Sequence, residues 1–254
     1  MNPFIPMYGT VLGTRLDVTD YEQALNHVVA LARCGGVAAV AAANTHLLAE
    51  AAANADFAAV LKSFDVVLPD GMPLVWGLKL DGHDIKERVY GPYFMQHVLR
   101  HAPAGLKHYF FGGTKECLKR LEERARELNP QVCIAGAVSP PFGRWDDETE
   151  TRLIDEINAA DADFVWIALG GVKQETWIAQ NRHRFKRGVF LAVGDAFALV
   201  AGLRSYAPKW MQRCGLTWVY RLSQEPKRLL GRYLIYNTRF VLAFLGERWR
   251  RAHS

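Results

Sequence analysis

The chain has 254 residues, half of them hydrophobic, which suits one large core or a domain of about 200 residues with an appendage. No run approaches the roughly 18 uncharged apolar residues of a spanning helix, and no charged-then-apolar leader opens the chain, so neither a membrane span nor a signal peptide is expected. Cys34, Cys117, Cys133 and Cys214 are scattered without a C-x-x-C pair, which speaks against zinc and a disulfide framework and fits a reducing cytoplasm.

Apolar, β-rich runs alternate with helical patterns. Residues 21–32 read as an amphipathic helix, opened by a capping box of Asp20 and Gln23. Residues 37–43 form a buried strand that runs into Asn44-Thr45-His46. The short strand 66–68 leads to Pro69-Asp70-Gly71, with an apolar helix from Met72. Residues 108–111 are followed by Gly112-Gly113-Thr114 and a helix over 115–128. Strand 132–138, helix 148–159, strand 163–169 and strand 189–193 complete the alternation. This order predicts an α/β class: a Rossmann-like, mostly parallel sheet covered by helices on both faces, over residues 1–204. Beyond Gly202 the alternation stops. From Pro208 the pattern is helical, interrupted at Gly215 and Pro226, so residues 205–254 are expected to form a helical appendage.

Ligands of such sheets sit outside the carboxyl ends of the strands, where this chain gathers its polar groups. Asp70 suits either a cap for the following helix or a general base. Gly112 and Gly113 suit a tight turn or a phosphate cradle, yet they form neither G-x-G-x-x-G nor a P-loop. Gly170 and Gly171 permit close backbone approach, and Lys173, Gln174 and Glu175 add a cation, an amide and an acid. The amides of Asn44 and Gln174 match sugar hydroxyl and acetamido groups. His46, His97 and His101 lack metal-ligand spacing, and neither a metal nor a cofactor is expected.

Charge is concentrated in the last fifty residues, with ten Lys+Arg against two acids and many aromatics between them. A basic, aromatic segment on a mildly acidic body is drawn to polyanions with an apolar neighbour. Anionic lipid fits better than nucleic acid, and nucleic acid is not expected as a partner.

Read in order, these segments resemble the WecG/TagA/CpsF family of bacterial glycosyltransferases. The matching stretches are Asn44-Thr45-His46, Val67-Leu68-Pro69-Asp70-Gly71-Met72-Pro73, Glu87-Arg88-Val89-Tyr90-Gly91, Phe110-Phe111-Gly112-Gly113 and Leu169-Gly170-Gly171-Val172-Lys173-Gln174-Glu175. Val193-Gly194, Ala207-Pro208-Lys209-Trp210 and Trp218-Val219-Tyr220-Arg221-Leu222-Ser223-Gln224-Glu225-Pro226-Lys227-Arg228 extend the match. The resemblance implies an inverting transferase that moves a sugar from a UDP donor to a polyprenyl-diphosphate-linked saccharide, in cell-surface polysaccharide or teichoic acid synthesis. It implies Asp70 as catalytic base. Asn44, Thr45, Arg88, Gly112, Gly113, Gly170, Gly171, Lys173, Gln174, Glu175 and Asp195 are expected around the donor and its sugar. Arg221, Arg228 and Arg232 are expected to grip the acceptor's diphosphate at the cytoplasmic face of the membrane, with homo-oligomerisation left open. Ala42, Val172, Ala198, Tyr206 and Gly231 depart from the family's usual residues. The rival readings are a nucleotide-binding oxidoreductase, which lacks its glycine fingerprint, and a non-enzymatic module for anionic membranes.

Overall fold

The computed structural model describes residues 7–253. A hairpin of β1 (Tyr8–Val11) and β2 (Thr14–Asp17) precedes α1 (Tyr21–Arg33), whose first turn is capped by the Asp20 carboxylate accepting the Gln23 N–H. Next come β3 (Val37–Ala43), α2 (Thr45–Ala53), α3 (Ala55–Lys62), β4 (Val66–Pro69), α4 (Met72–Leu80) and α5 (Gly91–His101). They are followed by β5 (Lys107–Gly112), α6 (Lys115–Leu128), β6 (Cys133–Val138), α7 (Asp147–Ala160), β7 (Phe164–Ala168) and α8 (Lys173–Asn181). The alternation ends with β8 (Gly188–Ala192) and α9 (Ala196–Val200). Three further helices follow: α10 (Lys209–Arg213), α11 (Thr217–Gln224) and α12 (Pro226–Ala252).

Six strands form one wholly parallel sheet in the order β4-β3-β8-β7-β5-β6. Because successive strand residues point to opposite faces, each strand feeds two cores. Ala39, Ala41, Val67, Phe111, Val165, Ile167 and Phe190 pack on one face, with residues of α2, α3, α4, α7 and α8. Ala38, Val40, Leu68, Phe110, Trp166 and Leu191 pack on the other, with α1, α5, α6 and α9. Burial on both faces explains why the strands read as continuous apolar runs.

From β3 the chain leaves into α2 on the first face; from its neighbour β8 it leaves into α9 on the second. The connections therefore part between β3 and β8, opening a crevice at their carboxyl ends, the place where doubly wound sheets bind ligands.

The helical C-terminal region lies against the first face. Phe240 of α12 is buried in that core, with Tyr236 and Phe244 packed at its edge. Arg248 donates to Asp81 at 2.6 Å and to the Gly77 carbonyl at 3.0 Å, and Arg251 reaches the same Asp81 at 2.8 Å. The Leu12 N–H donates to Glu247 at 3.1 Å, tying α12 to the N-terminal hairpin. Among the described residues no helix is long and apolar enough to cross a membrane.

Candidate active site

Asp70 follows β4 directly, its N–H donating to the Ala43 carbonyl at 2.8 Å. It does not cap α4. The cap position is Gly71, and the Asp70 carboxylate turns instead to the first residue of α5, where Oδ2 accepts the Gly91 N–H at 3.2 Å. Glycine suits this approach, since a Cβ at residue 91 would lie a tight 3.2 Å from Asp70 Oδ2 and 3.3 Å from Ala42 Cβ. Burial pushes the carboxyl up to about 6, against the lowering pull of Arg88, the Gly91 N–H and Arg221. A carboxylate of this kind is ionised at neutral pH yet basic enough to take a proton, which is what a general base needs.

Arg88 is buried between the two ends of this arrangement. It donates to the Asp70 carbonyl at 3.5 Å and to Thr217 Oγ1 at 3.2 Å, and lies over the Tyr90 ring at 4.2 Å. It thereby links β4 to α11. Asp195, just after β8, pairs with both Arg204 and Arg221. Glu225, between α11 and α12, pairs with Arg204 at 2.5 Å and with Arg228. Tyr90, Thr217, Arg204 and Arg221 line a cavity with Asp195 and Glu225.

The remaining expected residues divide. Asn44 caps α2, its Oδ1 accepting the His46 and Leu47 N–H groups at 3.0 and 3.3 Å, and sits beside Gly71. Thr45 donates to Asn237 of α12 at 3.3 Å. Gly170 and Gly171 form the turn before α8, with Gly171 against the His46 ring. The next residue, Val172, takes φ 68 and ψ −50, a costly conformation for a β-branched side chain. Three residues on, Glu175 is fully buried; its Oε1 accepts the Gln174 amide at 2.9 Å, its Oε2 has no hydrogen-bond partner among the described residues, and burial raises its carboxyl to about 7. Gln174 lies against Gly194 at the end of β8.

Four expected positions have other partners. The Gly113 N–H is spent on the Ala168 carbonyl at 3.3 Å, and Gly112 lies so near β7 that a Cβ would meet the Ala168 oxygen at 2.4 Å. Close strand packing accounts for Gly112, and a left-handed backbone at φ 71 for Gly113. Lys173 donates to the Gly143 carbonyl at 2.8 Å and covers Trp145, bracing the loop before α7. Arg232 stands over Tyr233, apart from the Arg221 and Arg228 pairs, and with burial helps to hold His46 near a pKa of about 4. His46 is neutral there, packed on Tyr236 at 4.0 Å between ring centres.

Sequence reasoning left Arg204, Glu225 and Thr217 without a role. Arg204 carries a faint signal, standing two residues before the site of a family arginine that is Tyr206 here. Tyr206 stacks on Tyr93, and its hydroxyl accepts the Gln96 amide N–H at 2.6 Å. A D-x-D triplet is present, Asp161-Ala162-Asp163, but it lies at the amino end of the central strand β7, opposite the carboxyl-end crevice, where Lys107 and Arg187 pair with it. No cluster of three or more metal-ligating side chains occurs among the described residues.

The ends of β3, β4 and β8 and the helix α11 thus gather the carboxylates of Asp70, Asp195 and Glu225 with a set of arginines. Residues 9–254 match the model of the glycosyl transferase WecG/TagA/CpsF family. The chain belongs to this family. It is 32% identical over 207 residues to an N-acetylglucosaminyldiphosphoundecaprenol N-acetyl-beta-D-mannosaminyltransferase of Bacillus spizizenii, covering 81% of this chain and 78% of that protein. A protein of the same name from Bacillus subtilis is 29% identical over 198 residues, covering 76% of this chain and 75% of its own length. The WecG/TagA/CpsF chain described here is therefore a glycosyltransferase, as its motifs imply, and the oxidoreductase and purely membrane-binding readings fall away.

Proposed function

We propose that this glycosyltransferase moves an N-acetylhexosamine from a UDP-sugar to an N-acetylglucosamine carried on a polyprenyl diphosphate, in synthesis of a cell-surface polymer. The two Bacillus relatives bear names of that reaction. The observation that carries the mechanism is Asp70: an enclosed carboxylate at the switch crevice, beside arginines suited to phosphate.

In the proposed step Asp70 takes the proton of the acceptor hydroxyl while its oxygen attacks the anomeric carbon. The bond to the UDP oxygen breaks, UDP leaves with the electron pair, and the anomeric configuration inverts. The turn at Gly170 and Gly171, closed by the Gln174 N–H on the Gly170 carbonyl, supports the donor side, with Asn44 and Gln174 at the strand ends nearest it. Arg88, Arg221 and Arg228 serve the charged groups.

The C-terminal helical region is proposed to bring the enzyme to the membrane that holds its acceptor. Leu230, Leu234, Val241 and Leu245 recur at i, i+4, i+11 and i+15 on α12, and all are exposed. Exposed Trp249, Trp218 and Trp210 and basic Arg239, Lys227 and Arg213 accompany them. An exposed apolar stripe in a basic C-terminal region fits the inner-leaflet interface.

The test is transfer by the purified chain from a panel of UDP-N-acetylhexosamines to a synthetic N-acetylglucosaminyl-diphosphoryl lipid. The expected result is a β-linked disaccharide lipid with UDP-N-acetylmannosamine as donor. Absence of product with every donor in the panel would sink the reading.

A further inference from the structure

Three guanidinium groups converge on two carboxylates near Asp70. Arg204 spans the gap, one Nη on Asp195 and the other on Glu225 at 2.5 Å. Arg221 holds the second oxygen of Asp195, and Arg228 closes on Glu225 through Nη2 and through Nε at 3.1 Å. The cavity lined by Arg204, Arg221, Asp195 and Glu225, with Tyr90 and Thr217, has a volume of about 10 Å³, close to the room one water needs. The arginines are therefore gathered, and the space a diphosphate would fill is taken by protein carboxylates.

The two carboxylates are held differently. Asp195 follows Gly194 at the end of a central strand, fixed to the sheet through the N–H groups of Val193 and Gly194 on the Ile167 carbonyl. Glu225 lies at the break between α11 and α12, with non-helical φ −137 and ψ 60, ahead of Pro226. Its backbone belongs to neither helix's interior, so its side chain can leave without unmaking either one.

We propose that Glu225 is a built-in competitor for the diphosphate of the acceptor, occupying Arg204 and Arg228 until the ligand displaces it, and that Arg204 is a ligand of that diphosphate. This rests on the proposed function for the identity of the anion. A carboxylate presents two oxygens to a guanidinium in the geometry of a phosphate, but carries one charge where a diphosphate carries several. Exchange then favours a diphosphate over a carboxylate or a single phosphate. The competition keeps the arginines aligned, and it rejects weakly charged anions.

The experiment titrates the full chain with inorganic pyrophosphate, and separately with inorganic phosphate, by calorimetry. Glu225→Gln is expected to bind pyrophosphate about tenfold tighter than wild type, and Arg204→Met about tenfold or more weaker, the scale of one charge-assisted contact. Glu225→Asp, too short to span to Arg204, moves in the same direction as Glu225→Gln and serves if that variant does not fold. Pyrophosphate binding that is unchanged or weaker in a folded Glu225 variant overturns the proposal, as does undiminished binding in folded Arg204→Met. Pyrophosphate binding needs no sugar transfer. Failure of the transfer assay with these shifts intact therefore refutes the reaction and leaves the anion site, and the converse separates the two equally well.

Discussion

The Asp70 carboxylate is held at 3.2 Å by the backbone N–H of Gly91, so the end of β4 and the start of α5 meet at the candidate base. The N-terminus of α5 and Arg88 favour the anion, whereas burial opposes it, and burial wins. That balance makes Asp70 reactive and also unfavourable to the folded state when ionised.

Asp70→Asn should lower kcat by on the order of 100- to 10,000-fold, the span of a lost general base. Circular dichroism should be unchanged. A variant turning over at near wild-type rate would remove Asp70 from the mechanism.

The same carboxyl sets a pH dependence of both rate and stability. The value of kcat/KM should fall as pH drops through about 6, where the base becomes protonated. For stability the sign is opposite: the folded protein binds this proton more tightly than the unfolded chain, so folding loses stability as pH rises from about 4 to 6. Asp70→Asn should thus raise Tm at pH 7.5, with the gain shrinking toward pH 4. A Tm difference independent of pH would contradict this.

Gly91→Ala places a methyl against Asp70 Oδ2 and Ala42 Cβ. The substitution should reduce kcat at least tenfold with a small loss of stability, because a displaced base is a poor one. Kinetics and thermal melting on the same preparation check both parts.

Glu175→Ala leaves the Gln174 amide without its acceptor in a fully buried place. The expected cost is about 2–4 kcal/mol, from an unmet donor and a cavity together. Donor KM should rise as the Gly170–Val172 turn loosens. Chemical denaturation measures the first, and UDP-sugar titration the second.

Leu234→Glu with Leu245→Glu places charge on the exposed stripe of α12, away from buried Phe240. Flotation with vesicles containing anionic lipid should be lost while Tm holds within a few degrees. Retained flotation would assign membrane contact to another surface.

The strands were legible because burial on both faces of a parallel sheet writes apolar runs into the chain, as in Val165–Ile167 and Val189–Leu191. Asp70 was legible too, since an acid ending such a run before glycine marks a strand's carboxyl end. The hairpin β1–β2 was not: its four-residue strands leave too short a pattern.

The amino-acid sequence by itself determined the class of fold, the strand ends that form the site and the basic character of the C-terminal helices, because these depend on local periodicity and composition. Tertiary structure decided which polar groups meet. Gly112, Gly113 and Lys173 share the motif pattern of the site yet serve strand and loop packing, while Arg204 and Glu225, 21 residues apart, form the bridge beside it. Charge counting finds arginines but not their partners, since an ion pair is set by where separate elements place two side chains. Only the packed sheet and the docking of α11 and α12 fix that distance.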